Sequence, residues 1–123
     1  MAESKTAFWL YVGGRSTPFA CRDADRLVAY LNECYRYTGA ADIIEGNATY
    51  RIPNRVASFI AGNIIRGIET QVQVMGEVWA VGTSADLVQL LRVARTEMLY
   101  LDGVVVKSTG TAPFTALRKE HCK

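Results

Sequence analysis

The sequence predicts an α+β fold, a single compact domain of repeated ββα units, and three observations carry that prediction. First, Asp102-Gly103 lies between two apolar, β-prone runs, Leu99–Leu101 and Val104–Lys107. Asp-Gly accepts the positive φ that a two-residue hairpin turn demands. Second, glycine turns recur upstream, where Gly13-Gly14, Gly46-Asn47 and Gly76 each separate two strand-like runs. Third, a stretch with helical apolar spacing follows each of those three turns. The alternative arrangement is a ferredoxin-like sandwich in which some of the short strands do not form.

In the first unit, Phe8–Val12 is apolar on both strand faces, with Phe8, Leu10 and Val12 on one and Trp9 and Tyr11 on the other. Such a strand is expected to be covered on both sides. After Gly13-Gly14-Arg15 the chain returns through Thr17–Cys21, with Pro18 marking a strand start or edge. Asp23 caps a helix whose apolar face is Leu27, Leu31 and Cys34, and Gly39 is expected to close it.

The second unit pairs Ile43-Ile44 with Tyr50 and Ile52, and Pro53 sits where the next helix begins. Val56, Phe59, Ile60, Ile64 and Ile68 form its apolar stripe, broadened by Ala61 and Ile65. Gly62 and Gly67 weaken this helix, and close approach of another backbone is the reason expected for them. In the third unit, Gln71 and Gln73 alternate with Val72 and Val74, then Val78 and Ala80 with Trp79 and Val81. Thr83 or Ser84 caps a helix running from Leu87 toward Met98, with Asp86 in its first turn. Residues 1–6 and 112–123 read as loose termini of a single domain spanning 1–123.

Composition bounds function loosely. Half of the 123 residues are apolar and 21% are charged. A small domain has little interior in which to hide that much apolar surface, which points to a subunit or partner interface and a homo-oligomer. The net charge of +2 does not by itself imply nucleic acid or a membrane surface. Ten of the 14 basic residues are Arg, a side chain suited to interfaces. The polar N-terminus carries no signal core and no run is long enough to span a bilayer, so a cytoplasmic address without membrane contact is expected.

Recognised catalytic spacings are missing. Cys21, Cys34 and Cys122 form no framework, and no Cys-x-x-Cys or His-Glu-x-x-His occurs, so no metal and no cofactor are expected. A Cys–His or Ser–His–Asp arrangement would rest on His121, on the loose C-terminal tail. Asp23, Asp25, Glu45 and Asp86 each have work as a cap, helix-start or turn charge. The loops Gly13–Thr17 and Gly82–Ser84 match no phosphate-binding fingerprint.

These observations lead to a non-enzymatic protein-binding module: a subunit or inhibitor that occludes a macromolecular partner, of the regulatory kind that phages and plasmids encode. Its expected contact residues are Trp9, Tyr11, Arg15, Tyr50, Arg51, Arg55 and Trp79, since Tyr, Trp and Arg dominate interface energetics. The alternative is a single-stranded nucleic-acid-binding protein that uses the same sheet aromatics for stacking and the arginines for phosphates.

Overall fold

The computed structural model describes residues 6–74, 77–94 and 106–108. Its elements run β1 (Phe8–Val12), β2 (Phe19–Cys21), α1 (Ala24–Glu33), β3 (Ala40–Glu45), β4 (Ala48–Pro53), α2 (Asn54–Ile65), β5 (Thr70–Val74), β6 (Glu77–Val81), α3 (Ser84–Val93) and β7 (Val106–Ser108). The α+β expectation holds: two antiparallel sheets, ordered β2-β1-β3-β4 and β6-β5-β7, pack with three helices. Neither a ferredoxin-like arrangement nor a duplicated unit is established. The Asp102-Gly103 turn lies outside the described residues, and β7 pairs with β5.

Period-two alternation fixes the first sheet. Phe8, Leu10, Val12, Ala41, Ile43, Tyr50 and Ile52 are buried on one face, beneath the helices. That face joins Leu27, Val28 and Leu31 of α1, Val56, Ile60 and Ala61 of α2, and Leu87, Leu90 and Leu91 of α3 in one core. Trp9, Tyr11, Asp42, Ile44, Thr49 and Arg51 occupy the opposite face. There the expectation of cover on both sides fails: Trp9 is 42% exposed, and all three helices contribute to the other side.

The helix ends are set locally. Asp23 accepts the Arg26 N–H at the start of α1. Thr83 and Asp86 form a reciprocal capping box on α3. Two ends depart from expectation. The first helix stops at Glu33, and Gly39, at φ +86°, instead turns the chain into β3. The second stops at Ile65, with Gly67 at φ +75° beyond it, so Ile68 is not helical. No helix among the described residues is long and apolar enough to cross a membrane.

Candidate functional site

Cations and aromatic rings converge where α1 ends. Past Glu33, the segment Cys34–Gly39 is pinned by Asn54, the first residue of α2. Its Nδ2 donates to the carbonyls of Cys34 and Tyr37, both at 2.8 Å, and its backbone N–H donates to Gly39. Two polar grooves flank this segment. One, of about 570 Å³, is lined by Asn32, Glu33, Tyr35, Arg36 and Tyr37. The other, of about 290 Å³, runs between α1 and α2 past Arg55, Ser58, Gly62 and Arg66. They share Asn32 and Tyr35, so they form one continuous surface.

Arg15 extends that surface. Its guanidinium lies 5.1 Å from the Phe19 ring centre and 5.7 Å from that of Tyr37, and it donates to the Tyr37 hydroxyl at 3.1 Å. Arg36 lies 5.6 Å from the Tyr35 ring. Stacking of this kind holds a guanidinium flat while leaving edge N–H groups free for a partner. Among the described residues the ion pairs are Arg51–Asp42 and Arg92–Glu45. Arg15, Arg36 and Arg55 stand in neither pair, and Glu33 lines the larger groove beside Arg36.

A different cluster sits at the far end of the β3–β4 hairpin. Glu45 accepts from the Tyr50 hydroxyl at 2.6 Å and from Nη2 and Nε of the Arg92 guanidinium, at 2.6 and 3.2 Å. The Arg92 hydrogen bonds, with help from Tyr50, hold the Glu45 carboxyl below the usual range. Burial, then the bond to Glu45, pushes the Tyr50 phenol up. The cluster thus keeps an anion fixed against a guanidinium and ties α3 to the first sheet. The thiols are unsuited to nucleophilic attack: burial pushes Cys21 to about 11 and also raises Cys34, although Arg15 pulls the latter back. Among the described residues no three His, Cys, Asp or Glu side chains gather as a metal site; His121 and Cys122 lie outside them.

The expected contact residues separate into three groups. Trp9, Tyr11 and Arg51 share the open face of the first sheet, where Tyr11 registers with Asp42 and Asp42 with Arg51. Arg15 and Arg55 belong to the groove surface. Tyr50 is buried on the core face, and Trp79 packs half-buried against the core from β6. Sequence reasoning missed Tyr35, Arg36, Tyr37 and Arg66. The alternation Tyr35-Arg36-Tyr37 just beyond an amphipathic helix is the signal that marks the first three.

A family model for the phage T5 apurinic/apyrimidinic endonuclease family matches residues 9–121. The chain belongs to that family. It is also 33% identical over 111 residues to a DNA-(apurinic or apyrimidinic site) endonuclease of Escherichia phage T5, covering 89% of this chain and 96% of the relative. No solved structure matches. Membership in an endonuclease family overturns the expectation of a non-enzymatic, protein-binding inhibitor or regulatory protein. The physical reason is plain: catalytic groups that meet only in the folded protein need leave no recognisable spacing in the sequence, so a missing motif is not evidence against catalysis. The nucleic-acid alternative fits the family better.

Proposed function

We propose that this chain binds DNA and cuts a strand at abasic sites. The observation that carries the proposal is the family match from Trp9 to residue 121, together with the endonuclease relative matched over almost its whole length. The surface chemistry agrees. A net charge of +2 gives little attraction over the whole molecule, so affinity for a polyanion has to come from local charge. Arg36 and Arg55 in the two grooves, and Arg15 on the adjoining Tyr37, none in an ion pair among the described residues, supply it. Trp9 and Tyr11, on the open sheet face, offer rings on which exposed bases can stack.

The test is a labelled duplex carrying one abasic site, set beside an intact duplex and one carrying a tetrahydrofuran analogue. Scission confined to the abasic position supports the proposal. Absence of scission in the full range of divalent-cation conditions, or equal cutting of intact DNA, refutes it. The analogue separates two routes. Hydrolysis adds water at phosphorus and expels a sugar oxygen, so it proceeds on tetrahydrofuran. Elimination takes the C2′ proton next to the C1′ aldehyde and breaks the C3′–O bond, which the analogue, lacking that aldehyde, does not allow.

A further inference from the structure

The groove between α1 and α2 has a feature that the open sheet face lacks: its arginine is aimed from the protein interior. Arg66 Nη2 donates to Asn63 Oδ1 at 2.7 Å, and Asn63 Nδ2 donates to Thr70 Oγ1 at 2.9 Å. Asn63 and Thr70 are 1% and 0% exposed. Burying an amide and a hydroxyl is costly unless they are bonded, and this chain of bonds ends on a guanidinium that lines the groove. Gly62 lets two side chains close in beside it. A Cβ added at Gly62 would lie 3.2 Å from Asn32 Oδ1 and 3.5 Å from Arg66 Nη1. Glycine weakens a helix interior, so the sequence expectation that something approaches closely is met, though by side chains rather than a backbone. Arg55 and Ser58 continue the lining toward the start of α2, and the described lining residues include no carboxylate.

We propose that this groove holds a backbone phosphodiester of the bound DNA, with Arg66 and Arg55 on its oxygens and Gly62 letting Asn32 and Arg66 keep their places along the groove. A planar guanidinium matches two phosphate oxygens at once, and one held flat by Asn63 loses little freedom on doing so. The inference rests on the DNA reading above and adds to it a defined subsite.

The experiment is fluorescence anisotropy with labelled abasic and intact duplexes over a range of salt, for the wild type, Arg66→Ala, Arg55→Ala and Gly62→Ala. Each arginine variant is expected to bind more weakly, equally so for both duplexes, because a backbone contact carries no base information. Each should also lose about 0.9 from the slope of log affinity against log salt. Over a fourfold rise in salt, wild-type affinity then falls about 3.5-fold further than that of the variant. Gly62→Ala removes no charge, and it too should weaken binding by pushing Asn32 and Arg66 out of place. Unchanged affinity and slope in both arginine variants, with the wild type binding normally, overturns the groove and leaves the function standing. If millimolar inorganic phosphate binds through Arg66 without displacing DNA, the groove is a small-anion site and the proposal also fails. A wild type that binds neither duplex overturns both readings.

Discussion

Glu45 and Arg92 stand 47 residues apart in sequence and meet at 2.6 Å, joining the β3–β4 turn to the last turn of α3. The pair is partly solvated, with the Glu45 side chain 26% exposed, so it is worth about 1 kcal/mol or less. Glu45→Gln should lower stability by about that amount at pH 7. Because the folded state holds this carboxyl below its usual range, its contribution is complete above the unfolded pKa and disappears as pH falls through the folded one. Urea unfolding at pH 7 and at pH 3 checks this. A gap between wild type and variant that persists at pH 3 would show that the charge is not its source.

Trp9 and Arg51 share the open face but differ in what they release when removed. Trp9 is exposed enough that Trp9→Ala should leave the fold intact while reducing single-stranded DNA affinity by about 1–3 kcal/mol for each stacked base lost. Arg51→Ala also uncovers Asp42, which it holds at 2.6 Å, so it adds a repulsive carboxylate to the same face. Its effect on DNA binding should grow as salt falls. Titration of both variants at two salt concentrations is the check. Wild-type affinity in both would remove the sheet face from the interface.

Much of this fold is legible in the sequence because its determinants are local. Glycine turns, the Asp23 and Thr83 caps and the alternation of Phe8, Leu10 and Val12 each act within a few residues. Which face of β1 is covered is a tertiary matter, and apolar Trp9 and Tyr11 gave the wrong answer there. The functional surface is harder still. Arg15, Asn32 with Tyr37, and Arg66 come from the β1–β2 turn, the end of α1 and the end of α2, and only tertiary packing brings them together. Glu45 reads as a turn charge because its partner Arg92 is supplied by the third helix. Tyr50 reads as a contact residue by its side-chain type, although its alternation with Ile52 puts it on the core face.

Asn54 carries the placement of the tyrosine segment. Its buried amide donates to the Tyr37 carbonyl and joins the Tyr37 N–H on that of Cys34. Asn54→Ala strands the Tyr37 carbonyl and leaves that of Cys34 with the Tyr37 N–H alone, and should cost about 1–3 kcal/mol in urea unfolding. Tyr35 and Tyr37 lose their anchor at the same time, so DNA affinity should fall in the variant even where it is fully folded. Comparing affinity at 10 °C with that at 25 °C separates misplacement from unfolding. A variant as stable as the wild type would show that Asn54 is not the anchor.

Cys21 and Cys34 are both buried free thiols, and their elevated pKa values leave almost no thiolate at neutral pH. Iodoacetamide at pH 7 should leave both unmodified in the folded protein and label both once it is unfolded in urea, as read by peptide mass spectrometry. The conservative variant Cys34→Ala should keep strand scission at abasic sites while losing about 1 kcal/mol or more of stability, since it empties part of a packed site. Rapid labelling of Cys34 in the native state, with parallel loss of scission, would instead return a thiol to the catalytic machinery.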